Sequence, residues 1–289
     1  MTPSSGMRVG VAIATGAGIL LATSLYAQPA TGPWAKVPAF PTACYVSQEQ
    51  EDFYKKMEEA LAAVQAERYK QDEINTKIRE SAQSVDPMEM ARRMQEFMMK
   101  DPQNAMKYLQ GVQNLGQSLQ ADQQAISDKE KQLAAEEKAL IERYQGALAK
   151  SHAPGNARWD VLKKKLGIPP DSRGPGESGV PDWAWKEWDV ILREWDRAYQ
   201  ATCAQWWNAS GPMHAYMKRY RDFLVQERIP YHHKGTDEPV LKNYQVMNVP
   251  SKGYRSVAEF VAVEDYIKRA RGIFDQRMVR PRCTAKQCG

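Results

Sequence analysis

Apolar residues recur every seventh position along a long polar stretch in the middle of the chain. They lie among Gln, Glu, Lys and Ala, and no proline occurs between Pro102 and Lys150. This period is typical of one face of a long amphipathic helix. Such a helix would be roughly 70 Å long, so it needs a surface to pack against along its length. The repeating residues are Val112, Leu119, Ile126, Leu133, Leu140 and Ala147.

The companion position of this repeat is mostly polar, whereas both core positions are apolar in a self-sufficient coiled coil. It is held by Leu115, Asp122, Lys129, Glu136 and Arg143. A second amphipathic helix precedes this one, from about Ser47 to 81–85. We therefore predict that residues 47–150 form a loosely packed, coiled-coil-like antiparallel hairpin of two long helices. Its packing residues would be Leu119, Ile126, Leu133 and Leu140.

Two Asp-Pro pairs mark a short helix between the two long ones. Asp86-Pro87 and Asp101-Pro102 each place a capping acid before a proline at the first helical position. The sequence therefore predicts a helix from Pro87 to Lys100 as the elbow of the hairpin. Its apolar side carries a stripe at helical spacing, made of Met90, Met94, Phe97 and Met98.

This methionine stripe has three interpretations. Flexible thioether side chains fill irregular gaps, so the stripe suits a junction where three helices meet. An exposed stripe suits the binding of varied apolar partners. Soft sulfur atoms at i and i+4 also suit Cu(I), but no His or Cys lies nearby in the sequence. We expect no metal site and no cofactor.

The amino-acid composition of the chain changes after Lys150. Residues 151–181 are rich in Pro and Gly, and we interpret them as a linker with a short helix predicted at 159–166. Residues 182–289 are expected to form a smaller Trp-rich helical domain. Its helices are predicted at 183–208, 213–228 and 256–278, and Asp182 is expected to cap the first. Residues 230–253 are expected to be irregular, with a short strand at 244–249. The predicted fold class is all-α.

The Trp-rich region also offers an alternative function, as a ligand-binding or hydrolytic domain. Trp183, Trp185 and Trp207 lie off the main apolar stripe of their helix and could line a pocket. The working group would be His214, His232 or a helix carboxylate. However, the chain lacks a Gly-x-Ser-x-Gly elbow, a His-Glu-x-x-His pair and a phosphate-binding loop. The enzymatic interpretation is therefore open, and a non-enzymatic one is favoured.

The first 27 residues are typical of an export signal. Arg8 precedes an apolar run, and small residues follow at the cleavage positions near Ser24 and Ala27. We predict a periplasmic or secreted protein with a cleaved signal peptide, followed by an extended Pro-rich leader at 28–46. The alternative is an uncleaved membrane anchor formed by residues 9–27.

If the protein is exported, its four cysteines are expected to form disulfides, because disulfides persist in oxidising compartments. Four cysteines allow three pairings. We favour one disulfide between Cys44 and Cys203 and another between Cys283 and Cys288. A metal site is the alternative, but the spacing lacks the tight Cys-x2-Cys pattern of zinc sites.

The charge is unevenly distributed. Residues 47–150 hold 15 basic and 19 acidic side chains, whereas residues 151–289 hold 23 and 16. This asymmetry favours docking of the basic part on the acidic hairpin or on an anionic surface. Export argues against nucleic acid as a partner. The predicted basic surface on the last helix consists of Lys268, Arg269, Arg271 and Arg277.

The function that this pattern favours is protein binding in the envelope. A helical hairpin projecting from a disulfide-tied domain would bind partner proteins through its methionine-rich tip, as an assembly factor, adaptor or holding chaperone. A homo-oligomeric subunit of an envelope appendage is a further alternative.

Overall fold

The computed structural model describes residues 32–40, 48–176, 179–246 and 249–277. Within these ranges every regular element is a helix and no strand occurs, so the predicted all-α fold is confirmed. A 3-10 helix spans Gly32–Lys36, and two π-helical segments span Leu224–Arg228 and His233–Asp237. The α-helices are α1 Gln48–Gln83, α2 Pro87–Lys100, α3 Pro102–Leu166, α4 Asp182–Trp207, α5 Pro212–Phe223, α6 Ile229–His232, α7 Glu238–Val246 and α8 Ala258–Arg277.

Helix α3 is longer than the sequence predicted. It runs for 65 residues without a break and contains Pro154, where the helix was expected to have ended. It stops only at Gly167, whose φ of 65° is the left-handed conformation that glycine adopts readily. The predicted break after Lys150 is wrong because α4 packs against this part of α3 and buries Trp159 and Leu162. Tertiary packing there outweighs the helix-breaking tendency of the proline.

The two long helices, α1 and α3, pack mainly against C-terminal helices rather than against each other. Helix α3 packs most extensively against α4, and α1 packs most extensively against α8. The principal core lies between the long helices, and all the larger helices except α2 and α7 contribute to it. Its fully buried members include Met57 of α1, Tyr144 of α3, Trp207 of α4, Tyr216 of α5 and Phe274 of α8. The long helices therefore depend on the C-terminal helices for burial.

The four predicted packing residues of α3 lie on this inner side to different extents. Leu133 and Leu140 are buried in the principal core, and Ile126 packs against it while half-buried. Leu119 is half-buried, and its Cδ2 lies 3.2 Å from where a Cβ of Gly235 would be. The apolar stripe of α3 therefore meets the C-terminal helices.

A second core joins α4 to the end of α3. Trp159 and Trp188 lie with their ring centroids 4.5 Å apart, and Trp188 meets Trp195 edge to face at 5.5 Å. Further along α4 the buried face rotates, so that Cys203 and Trp207 enter the principal core. The prediction that Trp207 lies off the buried stripe is therefore wrong, because the neighbours of α4 change along its length. Asp182 is the first residue of α4, preceded by Pro181 in the capping position, so it does not cap the helix as predicted.

Residues 212–246 form one continuous helical run, in contrast to the predicted end at Pro230, irregular segment and strand. Both π segments contain wide turns, with Ile229 N–H donating to Leu224 C=O and Glu238 N–H donating to His233 C=O. Pro230 follows the first wide turn directly. Because the extra residue in a π turn shifts the hydrogen-bonding register, the proline is accommodated without ending the helix. The predicted end at Pro230 and the strand are therefore wrong, and the predicted irregular structure occurs among the described residues only at 249–253.

Across the described residues, no helix has the length and apolarity that crossing a bilayer requires.

Candidate functional site

The elbow predicted between the long helices is built by two aspartates. The side chain of Asp86 accepts from Met88 N–H at 2.9 Å, and that of Asp101 accepts from Asn104 N–H at 3.2 Å. Asp101 also ends α2, because its own N–H donates to Phe97 C=O at 3.0 Å. The predicted bounds of α2 are confirmed to the residue. Each aspartate satisfies backbone donors that a helix start leaves unpaired.

The polar side of α2 is saturated by its own ion pairs. Glu89 accepts from Arg92 at 2.7 Å and from Arg93 at 3.0 Å, and Arg92 also lies 3.3 Å from Glu96. Hydrogen bonds from the two guanidinium groups lower the pKa of Glu89 to about 2. Glu89 therefore stays ionised at neutral pH, and the charged side chains of this group are paired within α2.

The four residues of the predicted methionine stripe have different environments. Met90 packs against a small core that includes Tyr244, and Phe97 meets Tyr108 of α3 edge to face at 6.4 Å. Met94 is half-buried and Met98 is exposed. The stripe thus divides into residues that attach α2 to the molecule and residues that face solvent.

Six large apolar side chains between Met88 and Val112 are exposed, with exposed fractions from 41% to 79%. None of the residues of α2 is buried. We call this set the elbow surface, and its members are Met88, Met98, Met99, Met106, Leu109 and Val112. The seven-residue repeat of α3 includes Val112 but not Leu109, and neither is among the four predicted packing residues.

One apolar stripe of α3 is covered at Ala105 and at Leu119 but is exposed to solvent between them. Ala105 is buried, and Leu119 lies against Gly235. Between these residues Leu109 and Val112 are exposed, and a Cβ placed on Gly116 would meet nothing within 4 Å. The spacing of these five positions, alternately four and three residues, could have identified the stripe, but not the part that the fold leaves uncovered.

The predicted basic surface on α8 is largely engaged with acids of the same chain. Lys268 lies 3.7 Å from Glu264, Arg269 lies 2.9 Å from Glu137, and Arg271 lies 3.1 Å from Glu58. Arg277 is the last residue of α8. Two of the three acids belong to the predicted acidic hairpin, so the uneven charge joins α8 to α1 and α3. Binding of an anionic surface stays a prediction.

A groove of about 660 Å³ lies between α3, the first π segment and α8. Its charged walls are cross-linked by ion pairs: Arg228 lies 2.7 Å from Asp265 and 3.4 Å from Glu130. Arg269 Nη1 also donates to Tyr216 Oη at 2.9 Å, and burial raises the pKa of this tyrosine well above its usual range. The groove is therefore explained by the ion pairs that attach α8 to α3.

The groups expected to serve an enzymatic site do not meet in this groove. His214 is buried beside the ring of Phe40 at 4.9 Å, His232 is half-buried, and His233 is exposed. Of the tryptophans proposed to line a pocket, Trp207 is fully buried, while Trp183 is exposed. Within the described ranges, no group of three His, Cys, Asp or Glu residues could hold a metal ion. None of these histidines and tryptophans lines the groove, and the enzymatic interpretation stays a prediction.

Cys203 is fully buried in the principal core. The other three cysteines, Cys44, Cys283 and Cys288, lie outside the described residues. The proposed pairing of Cys44 with Cys203 and of Cys283 with Cys288 therefore stays a prediction.

Comparisons of the chain with protein-family models, with curated proteins and with solved structures find no match. Function is therefore inferred from the residues of the chain itself.

Proposed function

We propose that the protein is an exported, non-enzymatic helical protein that binds a partner protein through the elbow surface. The observation that carries this proposal is the exposure of six large apolar side chains between Met88 and Val112. Six of the ten large apolar side chains that are exposed in the described residues fall within these 25 residues. Such a concentration favours an interaction site, because burial of apolar side chains by a partner lowers the free energy. Methionine suits this role, since its flexible thioether adapts to partners of different shape.

The partner that fits this surface is an amphipathic helix. Leu109, Val112 and Gly116 follow the i, i+3, i+7 spacing with which one helix contacts another. Gly116 has open space around it, so the backbone of a partner helix can approach closely there. The stretch from Ala105 to Leu119 is roughly 20 Å long, which corresponds to about four turns of a partner helix.

The contact face of that partner is expected to be apolar and uncharged. Residues 102–121 contain a single charged side chain, Lys107, among many glutamines and asparagines. The charges of α2 are already paired within the helix. The elbow surface therefore selects by apolar burial rather than by charge, which fits an assembly factor, adaptor or holding chaperone.

Export to the periplasm or the medium is part of the proposal and is supported by the sequence alone. The apolar run after Arg8 and the small residues that follow it lie outside the described residues. The alternative of a membrane anchor at 9–27 predicts that the mature chain retains its first residues. N-terminal sequencing of the protein from cell fractions separates the two.

Photo-crosslinking in living cells tests the binding proposal. A photoreactive amino acid is placed at Val112, and the matched control carries it at Leu133, three heptads further along the same stripe and buried. We expect intermolecular adducts from position 112 that disappear when Leu109 is changed to Gln. One discrete adduct indicates an adaptor or assembly factor, and a broad set indicates a chaperone. An adduct of two copies of this chain, or adducts formed only within the chain, would contradict the proposal.

A further inference from the structure

Four of the six residues of the elbow surface are methionines, and their sulfur chemistry suggests a modification. Methionine thioethers are oxidised to sulfoxides, and the reaction requires access of the oxidant to sulfur. Met88 is 79% exposed, Met99 67% and Met106 64%. Three other methionines, Met57, Met213 and Met217, are at most 2% exposed in the principal core. The fold therefore separates reactive from protected methionines within one chain.

We propose that the elbow surface is a site of reversible methionine oxidation, with peroxides as the class of oxidant. With hydrogen peroxide, the sulfur lone pair attacks one oxygen and the O–O bond breaks. The other oxygen leaves as hydroxide, which takes the proton from the transferred oxygen and becomes water. The sulfur loses two electrons and the peroxide gains them. A methionine sulfoxide reductase, supplied with a thiol reductant, reverses the change.

Oxidation changes the elbow surface without breaking a core. Each sulfoxide places a polar S–O bond where an apolar side chain stood. Because α2 contains no buried residue, Met88, Met98 and Met99 can carry this group in solvent. Met90 packs against the core around Tyr244 and is expected to react more slowly. Oxidation therefore changes the chemistry of the surface while the fold is retained.

The consequence for binding rests on the proposed function. An apolar partner helix that covers a sulfoxide would have to desolvate it without a hydrogen bond, and desolvation of an unpaired polar group is unfavourable. Oxidation of four of the six contact residues is thus expected to release the partner. Leu109 and Val112 do not react, so reduction alone is expected to restore the original surface.

The first test measures the modification itself. The purified full-length chain is exposed to hydrogen peroxide, and sulfoxide at each methionine is followed by peptide mass spectrometry over time. We expect Met88, Met99 and Met106 to be oxidised first, and Met57, Met213 and Met217 to remain reduced while circular dichroism reports a folded chain. Equal rates at exposed and buried methionines in the folded chain would overturn the proposal.

The second test connects oxidation to binding. The photoreactive residue at Val112 is used before and after peroxide treatment, in the wild-type background and in one with Met88, Met98, Met99 and Met106 all changed to Leu. Leucine keeps the surface apolar and cannot form a sulfoxide. We expect the adduct to be lost on oxidation in the wild type, to return after treatment with the reductase, and to persist throughout in the leucine variant.

The outcomes distinguish this inference from the proposed function. If the wild-type adduct persists after complete oxidation of the four methionines, the inference is wrong and the proposed function stands. If peroxide oxidises the four methionines selectively but neither redox form gives an intermolecular adduct, the proposed function fails. The modification site would then stand alone, without its effect on binding.

Discussion

The indole of Trp195 lies directly against the backbone of Gly155. A Cβ placed on this glycine would stand 2.8 Å from both Cδ1 and Nε1 of the indole. The same Nε1 donates to Asn156 Oδ1 at 2.9 Å. This contact joins α4 to the part of α3 that follows Pro154, and it requires the absence of a side chain at position 155.

We predict that Gly155→Ala destabilises the protein by about 1–3 kcal/mol, because the added methyl group forces Trp195 out of its position. Gly146→Ala is the matched control, since its Cβ would meet nothing within 4 Å in the same helix. The control should instead raise the free energy of unfolding by up to about 1 kcal/mol through helix propensity. Urea unfolding measures both. A stabilising effect of Gly155→Ala would contradict the packing described above.

The helices around this contact show which helix boundaries the sequence predicts and which it does not. The Asp-Pro pairs at 86–87 and 101–102 predicted the bounds of α2, because capping depends on neighbouring residues alone. Pro154 and Pro230 suggest helix ends that do not occur. The helix continues through Pro154 because α4 packs against it, and through Pro230 because a π turn precedes it. Local signals thus predict the starts of α2 and α3, whereas the end of α3 depends on its packing against α4.

The candidate site was predictable to a similar degree. Helical spacing placed Met90, Met94, Phe97 and Met98 on one side of α2, but it could not tell which of them meets a neighbour. Met90 packs against the tyrosine core, and Met98 does not. Spacing also gave Val112 and Leu133 the same position in the heptad, although one is 50% exposed and the other 3%. Only the arrangement of the C-terminal helices separates them.

This difference predicts unequal effects of equivalent substitutions. Leu133→Ala removes buried methyl groups from the principal core and should cost about 2–5 kcal/mol of unfolding free energy. Val112→Ala should change it by no more than about 0.5 kcal/mol, as is usual for surface positions. Chemical denaturation of the two variants checks this. A loss of several kcal/mol at position 112 would mean that the stripe of α3 is covered there.

An ion pair between a half-buried arginine and a buried carboxylate connects α1 to α8. Arg68 Nε lies 3.0 Å from Glu264 Oε1, and the carboxylate is only 3% exposed. Arg68→Met leaves this buried carboxylate with the more distant ammonium of Lys268 and should cost about 1–3 kcal/mol. The double variant Arg68→Met with Glu264→Leu should recover much of that loss, because no buried charge remains. Thermal and urea unfolding measure the cycle.

The exposed pair of Glu73 and Lys77, also on α1, serves as the control for this experiment. Both side chains are more than 60% exposed, so Glu73→Gln should change stability little. If the double variant is less stable than Arg68→Met alone, the cost does not arise from an uncompensated buried charge, and the interpretation of the pair is wrong.

The lowered pKa of His232 makes the free energy of unfolding depend on pH. Burial, and then the charge of Arg228, lower its pKa from the ordinary value of 6.5, while Asp237, Glu130 and Asp265 act in the opposite direction. The folded state thus binds a proton less readily than the unfolded state. This histidine therefore contributes stability above pH 6.5 that is lost as the pH falls towards its folded pKa.

We expect His232→Asn to flatten the stability curve below pH 6.5, where the wild type loses stability. The matched variant His233→Asn changes the adjacent, exposed histidine. Free energies of unfolding from urea titrations between roughly pH 5 and 7.5 give the comparison. If the His232→Asn curve runs parallel to that of the wild type, the protonation of His232 is not linked to folding.

Substitutions in the elbow surface are expected to abolish partner binding while leaving the free energy of unfolding almost unchanged. Changing Met88, Met98, Met99 and Met106 to Gln together removes most of its apolar area, yet none of these side chains belongs to a core. The helical circular dichroism should be retained, and each substitution should contribute no more than about 0.5 kcal/mol to the change in unfolding free energy. The adduct formed from Val112 should be lost, because glutamine cannot replace the apolar contacts. A folded quadruple variant that keeps the adduct would show that the partner binds elsewhere on α3. A variant that unfolds would show that these methionines hold the elbow together, which is the role that their exposure argues against.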